Sequence, residues 1–140
     1  MPISTQAYAH VRLTVTDIAR SRAFYDDVFK FPVAYEMPAD ADAATKEALS
    51  FLFGGVIYRV GDGLFGLRPA AAGSDRFDED RVGLDHVSFA LSGRADLDAA
   101  AALLDARGIA HGGIKDIGGA FILEFRDPDN IALELFALAT

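Results

Sequence analysis

Apolar and polar residues alternate in short runs along most of this chain, and two stretches repeat instead at helical spacing. In residues 8–16, Val11, Leu13 and Val15 point one way and His10, Arg12 and Thr14 the other, the period of a half-buried strand. Asp17 is placed to cap a helix over 18–29, where Phe24, Val28 and Phe29 recur at helical spacing before Phe31-Pro32 ends it. Residues 33–36 resume as strand. Residues 37–50 are alanine-rich and polar, predict a short helix over 43–49, and read as an insertion. Strands over 56–60 and 64–68 flank a tight turn at Gly61-Asp62-Gly63. Past a stretch rich in Ala, Gly, Ser and charge the pattern restarts: a strand over 86–91, a helix over 96–107 stopped by Gly108, and a strand over 109–112. A closing hairpin of 121–125 and 131–136 turns at Arg126-Asp127-Pro128-Asp129-Asn130, where Pro128 fixes φ and Asp and Asn bond their own backbone.

The two halves match as strings. His10-Val11-Arg12-Leu13 corresponds to His86-Val87-Ser88-Phe89, and Val33-Ala34-Tyr35 to Ile109-Ala110-His111 at the same offset. Gly66 aligns with Glu134 at a shorter offset because of the insertion. One strand–helix–three-strand unit buries only one face of its sheet. Two side by side predict an α+β fold of two βαβββ modules, forming a curved mixed sheet with helices outside and a concave inner face for a ligand. The modules span 7–69 and 83–138, joined by a linker over 70–82 within a single domain of 1–140.

Period 2 collects His10, Arg12, Thr14, Leu64, Gly66, Arg68, His86, Ser88, Ala90, Ala132, Glu134 and Phe136 on that face, with Arg59 and Glu124 added as repeat equivalents. A carboxylate in an otherwise apolar strand, as Glu134 is, costs several kcal/mol to bury unless it is paired or bound to a metal. An arginine partner is available in Arg12, Arg59 or Arg68. The alternative is His10 and His86, two of only three histidines in the chain, at equivalent positions on the same face. Two imidazoles and a carboxylate make a facial triad that binds a divalent ion and leaves positions open for substrate; Fe, Mn, Co, Ni and Zn all suit it. The arginines suit an anionic substrate, a carboxylate or phosphonate. Glu124, Glu36 and Tyr58 are the acid–base candidates. His111 is expected at a surface or edge.

Composition narrows the class. Half the residues are apolar, as in a globular domain, and none is cysteine, which excludes disulfides, thiolate metal sites and a cysteine nucleophile. The net charge of −8 disfavours nucleic acid and acidic membranes as partners. No apolar run is long enough to span a bilayer and no basic-then-apolar leader opens the chain, so a cytoplasmic protein is expected.

Three stretches carry a family resemblance: His10-Val-Arg-Leu-Thr-Val-Thr-Asp17 with Phe24-Tyr25, Gly83-Leu-Asp-His86, and Asp127-Pro-Asp-Asn130 leading to Leu133-Glu134-Leu135. Over residues 8–138 the chain resembles the vicinal oxygen chelate superfamily, which includes glyoxalase I, extradiol dioxygenases, fosfomycin-resistance transferases and bleomycin-binding proteins. The resemblance implies paired βαβββ modules around a metal cup, homodimers, and metal positions falling here on His10, Gly66, His86 and Glu134. Glyoxalase I fills all four positions and Gly66 cannot ligate, whereas ring-cleaving dioxygenases and fosfomycin transferases use a His, His, Glu set. The implied function is a metal-dependent, glyoxalase-like lyase or isomerase acting on a small substrate that chelates through adjacent oxygens. His10, His86 and Glu134 would be the ligands, Glu134 and Glu124 catalytic, and Arg12, Arg59, Arg68, Ser88 and Phe136 on the substrate. An extradiol dioxygenase and a non-catalytic drug-sequestering protein are the alternatives.

Overall fold

The structure, a computed structural model, describes residues 1–139, which form two compact units, Met1–Asp75 and the residues from Arg76 onward. The first holds β1 (His10–Thr14), α1 (Ile18–Val28), β2 (Val33–Glu36), α2 (Ala43–Ala48), a 3-10 turn at Ser50–Leu52, β3 (Val56–Val60) and β4 (Gly63–Arg68). The second holds β5 (Val87–Ala90), α3 (Arg94–Ala106), β6 (His111–Asp116), β7 (Ala120–Arg126) and β8 (Ala132–Leu138). Each unit has its own four-stranded mixed sheet, in the orders β1-β4-β3-β2 and β5-β8-β7-β6. The first strand of each sheet runs parallel to the last, which the intervening helix makes possible. The fold is α+β, as the doubled pattern requires. No helix among the described residues is long and apolar enough to cross a membrane.

In the first unit Asp17 caps α1 by accepting the Arg20 N–H at 3.1 Å. The face this helix buries centres on Tyr25 rather than on Phe24 and Val28. Tyr25 is fully buried and meets Phe65 of β4 at 5.5 Å between ring centres, and Phe29 and Phe31 stack beside it at 4.8 Å. Tyr58 closes the cluster, its hydroxyl donating to Asp26 at 2.7 Å. Burial pushes the Tyr58 phenol well up from its ordinary value. Glu36 is held by Arg22 at 2.6 Å. Neither Tyr58 nor Glu36 is therefore a free acid–base group, contrary to the sequence expectation.

In the second unit Leu97 and Leu104 of α3 and Leu123, Leu133 and Leu135 of the sheet are buried. The helix ends in a Schellman turn. Gly108 sits at φ +67°, its N–H reaches Asp105 O at 3.0 Å, and the Ile109 N–H reaches Leu104 O at 2.9 Å. Because Ile109 is spent on the helix end, β6 begins at His111, two residues later than the apolar pattern suggests. The strand then runs on to Asp116, past an irregularity between His111 and Ile114. β1 and β5 are shorter than the alternation predicts: their pairing runs from His10↔Leu64 to Thr14↔Arg68 and from Val87↔Leu133 to Ala90↔Phe136.

The 127–130 turn is a dense polar knot. The Asp127 carboxylate accepts the N–H groups of Asp129 and Ile131, both at 2.8 Å, and is buried. Asn130, at φ +67°, donates its side-chain amide to Phe77 O at 3.0 Å, and the Phe77 N–H returns to Asp129 O at 3.0 Å. The turn thereby aligns β8 and ties down the chain entering the second unit. Replacing Asp127 with Ala strands two buried N–H donors and is expected to cost about 1–3 kcal/mol in urea unfolding. Asp17→Ala, which removes a helix cap, should cost about 1 kcal/mol.

Candidate functional site

Register decides which side chains share a sheet face. In the second unit Glu134 pairs across to Ser88 on β5 and to Glu124 on β7, so the three lie on one face. Ser88 Oγ donates to Glu134 Oε1 at 2.7 Å. His86, one residue before β5, brings Nε2 to 3.8 Å from Glu134 Oε2, beyond hydrogen-bonding distance. Its Nδ1 lies 2.5 Å from Asp85 Oδ1. A carboxylate only accepts, so Nδ1 carries a proton, and in the neutral ring the Nε2 lone pair faces Glu134. The Glu134 side chain is 13% exposed and that of His86 44%, so the carboxylate is the sheltered member of the pair.

These groups open onto a cavity of about 350 Å3 lined also by Glu79, Asp85, His111, Glu124 and Arg126. Lys115 holds Glu124 at 2.8 Å, which offsets the like charge of Glu134 directly opposite. Arg126 forks onto Glu79, with contacts of 2.5 and 2.9 Å, and pulls the Glu79 carboxyl down to about 2. His111 opens β6, the edge strand of its sheet, as expected, and is also a wall of this cavity. Its Nδ1 accepts the Gly113 N–H at 3.0 Å and its Nε2–H donates to Asp105 at 2.8 Å, so both ring nitrogens are committed.

The arginines offered as partners for Glu134 all belong to the first unit. Arg12 donates to Phe51 O at 2.6 Å, and Arg68 lies 4.2 Å from the centre of the Phe53 ring. Arg59 is exposed on β3. The register also corrects one equivalence. Gly66 pairs with Ile57 and Glu134 with Glu124, so Glu124 corresponds to Ile57; Arg59, opposite Leu64, corresponds to Arg126, opposite Ala132. The cause is that a five-residue turn separates β7 from β8 and a two-residue turn β3 from β4. Phe136 lies on the Glu134 face but outside the cavity wall, and Ser88 touches the site through Glu134.

His10, exposed at the start of β1, belongs to the first unit. There it lines a second cavity of about 310 Å3 with Arg12, Tyr35, Phe51, Ile57, Leu64 and Gly66. Among the described residues no group of three or more His, Cys, Asp or Glu side chains is arranged to hold a metal. The structure thus brings together His86, Glu134, Ser88 and Glu124. Asp85, Arg126, Glu79 and Lys115 join them without having been expected. Of these only Asp85 left a sequence signal, as the neighbour of His86; the others depend on register and on the route of the linker.

Chemically, the pair offers the imidazole lone pair of the neutral ring and one carboxylate oxygen, Oε2, that makes no hydrogen bond among the described residues, each steadied through its other polar atom by Asp85 or Ser88. A carboxylate-backed histidine beside an oriented carboxylate is a donor set that fits a divalent ion.

Two βαβββ units in one chain, each closing its sheet with a parallel first and last strand, define the class of protein. The glyoxalase/bleomycin resistance protein/dioxygenase superfamily model matches residues 7–135, and the chain belongs to that superfamily. No curated protein matches the sequence. Among solved structures, a glyoxylase/bleomycin resistance protein/dioxygenase domain from Frankia sp. EAN1pec is 29% identical with a TM-score of 0.75, over 96% of this chain and 93% of that one. Lactoylglutathione lyase from Agrobacterium tumefaciens shares the fold at 22% identity and a TM-score of 0.68, over 95% and 94%. The fosfomycin resistance protein FosX of Listeria monocytogenes, complexed with Mn(II) and 1S,2S-dihydroxypropylphosphonic acid, does so at 16% and 0.70, over 98% and 95%.

The hydrogen bond from Asp85 raises the His86 pKa; burial opposes it, and the charges of Glu134, Asp85 and Glu124 add to the rise. The folded chain therefore holds this proton more tightly than the unfolded chain. The resulting stabilisation is complete below the unfolded value of about 6.5 and is lost as pH rises through the folded value. An NMR titration of the metal-free protein should find His86 above about 6.5, and Asp85→Asn should bring it back toward that value. A wild-type value at or below it would contradict the assignment.

Proposed function

We propose that this chain is a divalent-metal-dependent enzyme of its superfamily, a glyoxalase-like lyase or isomerase. Its substrate is a small molecule that presents two adjacent oxygens to the ion. The observation that carries the reading is the His86 Nε2–Glu134 Oε2 pair, left open to the cavity while Asp85 and Ser88 occupy the other atoms. In this reading His10 is the third ligand, and the ion is Fe, Mn, Ni, Co or Zn. The protein works as a cytoplasmic homodimer, and neither nucleic acid nor membrane is a partner.

When bound, the ion supplies Lewis-acid stabilisation of charge developing on the substrate oxygens. The chain's own residues do the rest. Asp85 keeps His86 in the tautomer whose Nε2 can ligate. Ser88 holds Glu134 so that Oε2 stays available. Glu124, opposite Glu134 and steadied by Lys115, takes or returns a proton at its carboxylate. Arg12, Arg59, Arg68 and Phe136 contact the anionic and apolar parts of the substrate.

The donor set also favours one second reading. With glycine at position 66, three protein ligands of His, His and Glu type suit an Fe(II) ring-cleaving dioxygenase. Oxygen uptake with catechols after anaerobic Fe(II) loading would select that reading. Turnover of a hemithioacetal with Ni or Zn, without oxygen, would select the lyase.

Protein purified without chelators should carry one divalent ion per chain, and His86→Ala or Glu134→Gln should lose it. A wild-type chain that takes up no divalent ion would end the enzymatic reading. Glu124→Gln is expected to keep the metal and lower kcat by about 10²–10⁴.

A further inference from the structure

The two units have diverged at matched positions. Where the second has Glu134, Glu124 and Ser88, the first has Gly66, Ile57 and Arg12. The acids are gone from this face and a cation has replaced a hydroxyl. The link between the second and third strands also differs: residues 37–55 in the first unit against 117–119 in the second. That longer link carries α2 and the 3-10 turn, and it delivers Phe51 and Phe53 to the rim of the sheet.

The product is the cavity of about 310 Å3, whose lining is mainly apolar: Val11, Tyr35, Phe51, Ile57 and Leu64. Tyr35 and Phe51 meet edge to face with ring centres 6.2 Å apart, an arrangement open to a third ring. Gly66 keeps the floor low. A Cβ there would stand 3.0 Å from Arg12 Cγ and 3.4 Å from Ile57 Cγ1. Arg12 crosses this floor, anchored through one terminal nitrogen to Phe51 O at 2.6 Å. Its Nε is buried without an acceptor. A buried charged donor with no acceptor is costly, and an anionic oxygen over the floor would satisfy it after a small shift of the side chain.

We infer that the first unit's cavity, floored by Gly66 and walled by Tyr35, Phe51, Ile57 and Leu64, binds the flat apolar ring of a small aromatic carboxylate whose carboxylate pairs with Arg12. This rests on the proposed reading of the sheet faces as the substrate site and names the substrate class. His10 stands among the residues lining this cavity. An acetate-sized anion lacks the ring that fills the cavity, and a neutral ring lacks the charge that Arg12 selects.

The test uses the full chain, dialysed free of metal, with benzoate, acetate and benzyl alcohol as probes followed by 1H–15N NMR. Benzoate should shift the amide signals of residues 10–12, 51, 57 and 66 and saturate, with acetate at least about tenfold weaker because it buries no ring. Phe51→Ala, at a half-exposed position that the fold tolerates, should weaken benzoate about tenfold. Gly66→Leu, with folding checked by its melting temperature, should do the same by filling the floor. Arg12→Met should remove the preference for benzoate over benzyl alcohol. Equal binding of benzoate and acetate, shifts confined to other residues, or unchanged affinity in Phe51→Ala would each overturn the inference. His86→Ala should bind benzoate like the wild type, so loss of metal and loss of recognition are read separately.

Discussion

A carboxylate on the inner face of a sheet needs partners, and Glu134 sets the terms for the second unit. Its strand is apolar on the other face, where Leu133, Leu135 and Ala137 are buried, so Glu134 cannot change sides without exposing them. Parallel pairing with β5 puts Ser88 beside it and His86 within 3.8 Å. The Asp127 knot fixes where β8 begins and therefore which residue meets Ser88. Loss of that alignment by one residue would exchange Glu134 for a leucine.

The electrostatics follow from this placement. Glu79, Asp85, Glu124 and Glu134 border one cavity, an arrangement that repels itself unless cations intervene. Lys115 and Arg126 each take one carboxylate, and His86 leans on Asp85. Among the described residues Glu134 has a serine hydroxyl as its hydrogen-bond donor, a neutral partner where Glu79 and Glu124 have cations.

The contrast between the two faces is set on a common strand order. The same strand order and the same parallel closing pair serve both units, so equivalent positions present side chains in equivalent ways. The side chains at those positions make one face acidic and imidazole-bearing and give the other an arginine and Ile57. The insertion between β2 and β3 extends that contrast, because a three-residue link cannot carry a phenylalanine to the rim.

The sequence by itself determined the α+β class, the repeat, most element boundaries and the face on which Glu134, His86 and Ser88 lie. Those properties depend on local periodicity, on caps such as Asp17 and Gly108, and on the Asp127-Pro128 turn, all encoded by neighbours in the chain. Only the tertiary structure decided that Glu134 faces Ser88 and His86. It also moved the partner of Glu124 in the repeat from Arg59 to Ile57, made His111 a cavity wall with both nitrogens spent, and folded Tyr58 and Glu36 into pairs with Asp26 and Arg22. Register across strands depends on turn length and bulges, and side-chain pairing depends on distances between residues remote in the chain. Alternation along a single strand contains neither.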